Sequence, residues 1–242
     1  MFRVRGSVLP GVLSVLFFLS HPVFAQNTRI ESFAKAKKLA ASAYEGHQTT
    51  FYCGCAYREK TVDFAGCGYV PKGNPDTARR LEWEHVVPAE NFGRSFAEWR
   101  DGHPACVTKK GEAFKGRNCA RKMSREFRRM EADLYNLMPE SAETNRRRSN
   151  FGYGMVVGEA REYGACDIEI ADKTCEPRPE IRGDIARIFL YMDQAYPGRG
   201  ILSRQSRQLF SVWSREDPVD AWERERARRI EDLQGNANAF VR

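Results

Sequence analysis

Apolar residues recur at helical spacing over residues 28–45. Ile30, Phe33, Ala36, Ala40 and Tyr44 form one stripe, Lys35, Lys37 and Lys38 face away from it, and Gly46 stops the pattern, so a helix is predicted. From 50 to 82 the spacing breaks down into short apolar runs punctuated by Cys, Gly and Pro, the signature of short strands and turns. Residues 82–88, Glu-Trp-Glu-His-Val-Val-Pro, read as a short strand that Pro88 ends. Residues 93–125 are rich in Gly, Lys and Arg and read as a long basic loop; 125–133 read as a helix, and 134–138, closed by Pro139, as a second short strand. Ser141 then suits the N-cap of a short helix with Thr144 in its first turn. After irregular sequence to Pro179, three helices are predicted. Ile181, Ile185, Ile188 and Met192 mark the first, which Pro197 and Gly198 end. Ser203 caps the second, whose buried side is Leu209, Phe210 and Trp213. Asp217-Pro218 opens the third, with Trp222, Arg226, Ile230 and Leu233 on one stripe and Gly235 as its stop. No Ser- or Gly-rich linker divides this pattern, which predicts one mostly helical α+β domain over 26–242.

The first 25 residues follow another pattern. Arg3 and Arg5 precede a mostly apolar stretch over 8–18, and Val23-Phe24-Ala25 is a small-x-small ending, so 1–25 reads as a cleaved secretory signal peptide. Its loss takes the formal charge of the chain from +7 to +5. No later apolar run is long enough to span a bilayer. At 42% hydrophobic and 29% charged residues, the 242-residue chain can build a core, and its composition excludes collagen-like, coiled-coil and multi-span classes. The basic balance favours a polyanionic partner. All seven cysteines follow the export signal, which points to disulfides before zinc, since no Cys-x-x-Cys pair occurs. Cys106 and Cys119 bracket a compact loop and make a natural pair; the odd count leaves one thiol over.

Three histidines lie beyond the signal. His47, past a helix stop, and His103, in Asp-Gly-His-Pro, read as surface loop residues. His85 adjoins Glu84 in the first predicted strand. Neighbouring strand residues face opposite ways, so the two meet one centre only where the strand ends, which Pro88 provides. A strand, basic loop, strand and helix in succession would set Asn145 opposite them. A carboxylate and an amide oxygen are hard ligands suited to magnesium, and a neutral imidazole beside such an ion can take a proton from water. Arg117, Arg121, Lys122, Arg125, Arg128 and Arg129, followed by Arg146, Arg147 and Arg148, suit phosphate contacts, although an isolated run of this kind usually solvates. Of the tryptophans, Trp213 and Trp222 sit at core spacing.

Several stretches carry a family resemblance: Phe51-Tyr52-Cys53-Gly54-Cys55, Cys67-Gly68-Tyr69, residues 82–89, Gly116-Arg117-Asn118-Cys119-Ala120, residues 130–137, Gln208-Leu209-Phe210, residues 218–223 and Gln234-Gly235-Asn236. In this order they resemble the bacterial endonuclease I family, exported nucleases without sequence preference built on the ββα-metal (His-Me) finger. The resemblance implies a general base at His85, metal ligands at Glu84 and Asn145, a phosphate-stabilising arginine at Arg117, and supporting roles for Glu131 and Asn136. It also implies disulfides Cys53–Cys166 and Cys55–Cys67, which leaves Cys175, or a Cys166–Cys175 bridge instead. Arg147-Arg148-Ser149-Asn150 stands where the family often has Asp-Arg-Gly-Asn. The implied activity is magnesium-dependent hydrolysis of DNA, and of RNA, to 5′-phosphate ends by a monomeric, periplasmic or secreted enzyme, with manganese or calcium as alternative ions. The competing expectation is an exported nucleic-acid-binding or DNA-uptake protein without catalysis; a third is a cysteine-stapled envelope interaction module.

Overall fold

Residues 26–158 and 160–241 are described by the computed structural model; the predicted signal peptide lies outside them. The N-terminal helix runs Phe33–Ala43 from a Ser32 cap whose Oγ accepts the Lys35 N–H at 3.3 Å, and it buries Ala36, Ala40 and Ala43. The segment after it turns on itself, with Tyr57–Arg58 and Thr61–Val62 as a small hairpin.

The strand Leu81–His85 pairs antiparallel with Leu137–Ser141, in a register from Leu81 opposite Ser141 to His85 opposite Leu137. The helix Ala142–Arg148 follows at once, so strand, strand and helix form a ββα unit. Three details differ from the sequence pattern. Residues 134–136 form a 3-10 turn, and Pro139 lies inside the second strand rather than closing it. Proline fits there because its carbonyl accepts the Phe51 N–H at 2.9 Å: this residue's polar edge faces away from the ladder, so no ladder bond needs the missing N–H. The first strand ends at His85, three residues before Pro88, because a side chain from another segment takes over its ladder. Beyond His85 the Asn136 amide stands in for a strand neighbour, accepting the Val87 N–H at 2.7 Å and donating to the Val87 carbonyl at 2.9 Å.

Where a long basic loop is predicted over 93–125, the helices Ala97–Arg100 and Arg117–Met123 stand. The charges mask an inward face: Cys119 and Ala120 are buried, and the Cys106–Cys119 disulfide pins the second helix. Arg125–Glu131 follows as a separate helix capped by Ser124. A three-stranded sheet joins Gly152–Tyr153, Thr174–Pro177 and Ile168–Ala171, with Thr174–Pro177 in the middle.

The C-terminal helices are Arg182–Ala195, Arg204–Glu216 and Ala221–Gln234. The last opens at an Asp220 cap, not at Asp217. Asp217 instead accepts the Gly183 N–H at 2.7 Å and ties the second helix's end to the first helix. Gly235, at φ +86°, stops the chain as predicted. These helices, the N-terminal helix and the hairpin share one apolar core, which buries Phe210, Trp213 and Ile230. Arg226 locks the last helix to the entrance of the second strand by donating to the carbonyls of Leu134, Tyr135 and Leu137. His47, predicted at the surface, is half-buried because it stacks on Trp222 at 3.7 Å, while His103 is exposed. The disulfides are Cys53–Cys166, Cys55–Cys67 and Cys106–Cys119, and Cys175 is a buried thiol. Among the described residues, no helix is long and apolar enough to cross a membrane.

Candidate active site

A cleft of about 550 Å³ opens beside the end of the first strand of the ββα unit. Glu84 and His85 line it from that strand, Asn145 from the helix after the second strand, and Arg117 from the first residue of its own helix. Glu131 and Asn136 lie behind this wall rather than in it.

His85 is 7% exposed and packs on the Phe33 ring, centroid to centroid 5.0 Å. Its Nε2 lies 2.8 Å from the Glu131 carbonyl oxygen. A carbonyl only accepts, so Nε2 carries the hydrogen and the lone pair resides on Nδ1. Burial, with the nearby Arg117 charge second, pushes the His85 pKa down to about 4, so the ring is neutral at physiological pH. The same residue that fixes the tautomer fixes Arg117. The Glu131 carboxylate accepts from Arg117 Nε at 2.5 Å and from Arg121 Nε at 2.7 Å. Burial would raise this carboxyl, but Arg121 and Arg117 outweigh it and hold its pKa below the ordinary range. One nitrogen of Arg117, Nη2, is buried with no hydrogen-bond partner among the described residues.

Glu84 is 3% exposed. Its Oε1 takes the Tyr52 hydroxyl at 2.9 Å and the Arg148 guanidinium at 2.8 Å. Burial raises its pKa, against the pull of Arg148 and Tyr52. Tyr52 is brought there by backbone stitching: the Phe51 N–H reaches the Pro139 carbonyl, and the Tyr52 N–H reaches the buried Glu140 carboxylate at 2.8 Å. The Tyr153 hydroxyl lies 2.5 Å from that of Tyr52. Arg148, fully buried at the end of the ββα helix, also donates to the carbonyls of His85 and Val86, so one guanidinium ties the helix to the strand end that carries both candidates. Asn145 donates its amide nitrogen to Glu82 at 2.8 Å, which leaves the amide oxygen as its acceptor.

The basic run is arranged differently. Arg125, Arg128 and Arg129 all converge on the Glu31 carboxylate. Arg121 faces Glu131, Lys122 donates to the Ala105 carbonyl, and Arg146 donates to the carbonyls of Ala142 and Thr77. None of these six lines the cleft.

Residues that the sequence pattern assigns elsewhere do line or support it. Phe33 stands in the cleft wall rather than only in the core stripe, and Lys37, four residues on, shares its face instead of opposing it. The i, i+4 spacing is the signal that could have joined them. Glu82 is two residues from Glu84, so strand alternation could have placed the two on one side. Tyr52 and Arg148 carry no such local signal, since their partners are distant in sequence.

Residues 26–242 match the Endonuclease I family. The chain is 40% identical to an extracellular deoxyribonuclease of Aeromonas hydrophila over 95% of each chain. It is 37% identical to a periplasmic deoxyribonuclease of the same organism, over 99% of this chain and 96% of that one. It is 36% identical to an endonuclease-1 of Buchnera aphidicola, over 94% of this chain and 87% of the relative. With the family matched from end to end of the described residues and relatives this similar along their whole length, the chain belongs to the endonuclease I family.

Proposed function

We propose that this chain is an exported endonuclease that hydrolyses phosphodiester bonds of DNA, and of RNA, without sequence preference, using one divalent cation and leaving 5′-phosphate ends. The observation that carries the reading is the convergence in one cleft of a neutral histidine with its lone pair on Nδ1, a buried carboxylate, a carboxamide oxygen and an arginine with an unpartnered nitrogen. The deoxyribonuclease and endonuclease names of the relatives agree with it.

The donor set fits magnesium. Among the described residues no three His, Cys, Asp or Glu side chains come together as a metal cage. Magnesium does not need one, because it binds through one or two carboxylates and keeps water and substrate oxygens in the rest of its sphere. Glu84 and Asn145 would hold it. Bound there, the cation neutralises charge on the scissile phosphate and on the departing 3′ oxygen.

The remaining work falls to the protein's own groups. His85 Nδ1 takes a proton from a water whose oxygen forms the new bond to phosphorus, and the bond from phosphorus to the 3′ oxygen breaks. The Glu131 carbonyl holds the ring in the tautomer that makes this direction of transfer available. Arg117, held by the Glu131 carboxylate, meets the charge that grows on the non-bridging oxygens.

Incubating the mature protein with plasmid, with and without EDTA, tests the reading. Nicking that EDTA abolishes, and that His85→Ala abolishes without loss of fold or DNA binding, is the expected result. Binding without any nicking would instead favour a carrier of nucleic acid, and full activity in His85→Ala would move the base elsewhere.

A further inference from the structure

Acidic side chains outnumber basic ones along the cleft wall. Glu82, Glu84 and Glu90 line it, against Lys37 and Arg117. A polyanion entering such a cleft needs cations that are free to meet it. Arg117 already faces Glu131. Lys37 has no carboxylate partner among the described residues; its ammonium lies over the Phe33 ring, 5.0 Å from the centroid. The Arg117 guanidinium lies 5.5 Å from the centroid of the same ring, and His85 packs on it as well. One aromatic side chain therefore gathers the candidate base, the candidate phosphate-stabilising arginine and an exposed, uncommitted lysine.

From this arrangement we infer that Lys37 is a substrate-binding residue, whose ammonium takes a backbone phosphate next to the one that Arg117 and His85 address. The inference rests on the nucleic-acid reading above and extends the binding surface to the N-terminal helix. It also shifts weight away from the arginine-rich stretch, where Arg125, Arg128 and Arg129 already share a carboxylate. Phe33 is the complementary positioning residue: its ring sets the lysine at the cleft and covers His85 from water. A lysine serves this purpose as a point charge on a flexible stem, which tolerates the changing backbone geometry of a substrate recognised without sequence preference.

The experiment is a salt series. Binding of a short labelled DNA duplex to the full-length mature protein is read by fluorescence anisotropy in EDTA, so that no cleavage intervenes. Each phosphate contact contributes roughly 0.9 to the slope of log affinity against log salt for duplex DNA. Lys37→Ala should lower the slope by about that amount and weaken binding at low salt. Lys37→Arg, which keeps the charge, should restore the slope. Lys38→Ala is the control: it removes the same charge from the same helix at an exposed position that does not line the cleft, and it should leave the slope unchanged. In nicking assays with magnesium, Lys37→Ala should raise KM while kcat holds. An unchanged slope in Lys37→Ala overturns the inference, and so does an equal fall in Lys38→Ala, which would mean a diffuse charge effect. If the parent protein shows no salt-dependent binding at all, the nuclease reading fails and takes this inference with it.

Discussion

Two buried glutamates with guanidinium partners sit a short way apart around the cleft, and they are used in opposite ways. Glu131, 1% exposed, has both oxygens taken by Arg117 and Arg121, and its pKa falls. Glu84, 3% exposed, takes Tyr52 and Arg148 on Oε1 and is helped by the His85 backbone N–H, yet its pKa rises. Desolvation pushes both pKa values up and acts on the more deeply enclosed Glu84 the more strongly; at Glu131 two guanidiniums outweigh it, and at Glu84 one guanidinium does not. The saturated acid is a bracket that orients other groups. The under-compensated one faces the cleft and would gain most from a cation brought to it. Saturation of partners, together with depth of burial, separates the supporting acid from the candidate ligand.

The contrast breaks most sharply at Arg148. It is fully buried, and its loss strands Glu84. Arg148→Met should destabilise the protein by about 3–5 kcal/mol in urea denaturation and abolish nicking. Replacing both partners, Arg148→Met with Glu84→Gln, should recover most of that stability without activity, because no lone charge remains buried. A cost below about 1 kcal/mol for the single change would mean that Glu84 needs no counter-charge, and the distinction drawn between the two acids would collapse.

Glu131→Gln comes next. Arg117 and Arg121 are 39% and 41% exposed, so water softens the loss to roughly 2–3 kcal/mol, below the fully buried case. The His85 contact is to the Glu131 backbone carbonyl and survives the change. The variant should therefore lose roughly tenfold in kcat through a loosened Arg117, with the base tautomer intact. The Glu131 charge draws the His85 pKa upward, so the variant's pH–rate profile should also move toward lower pH, and an unmoved profile would show that the carboxylate acts through Arg117 alone.

Much of this scaffold was legible in the chain and much of its wiring was not, for a physical reason. The Ser141 cap and the Gly235 stop are written in residues that act on their own neighbours, so local chemistry suffices to read them, whereas the first strand ends at His85 and not at Pro88 because the distant Asn136 takes over its ladder. The strand chemistry set His85 apart from the other two histidines and the order of elements set Asn145 opposite it, while family resemblance gave Glu84, His85 and Asn145 their roles and Arg117 its place at the phosphate. What was illegible is which charge meets which. Arg125 and Glu31 pair across 94 residues, and nothing local distinguishes Arg148, fully buried, from its exposed neighbours Arg146 and Arg147. The run of arginines looked like one surface, and folding sorted it into an internal clamp, a set held by Glu31 and a set held by Glu131.

Tyr52→Phe sharpens the comparison more gently. It deletes one donor to Glu84 and leaves Arg148 in place. A lost hydrogen bond to a buried charge should cost about 1–2 kcal/mol, measurable as a lowered urea midpoint. The change moves Glu84 further from the saturated state of Glu131, so manganese binding, followed by calorimetry, should strengthen. Weaker binding would mean that Tyr52 chiefly orients the carboxylate.

The smallest expected effect concerns the turn that follows Arg148. Ser149 holds φ +54° and ψ −124°, and the Phe151 N–H closes onto the Arg148 carbonyl at 3.1 Å. This is the first central position of a type II′ turn, where glycine is favoured because a Cβ is strained there. Ser149→Gly relieves about 1–3 kcal/mol of strain and gives back roughly 0.4–1 kcal/mol through the freer unfolded chain. The net should be a gain of about 1 kcal/mol, seen as a raised melting temperature. Activity decides what the strain is for. Ser149 and Asn150 both line the cleft directly after the clamp. If the glycine variant is more stable and equally active, the clamp alone holds Glu84 and the strained turn is incidental. If stability rises while kcat falls, the rigidity of the turn is part of what keeps Arg148 on the under-compensated acid, and the difference between the two glutamates depends on backbone as well as charge.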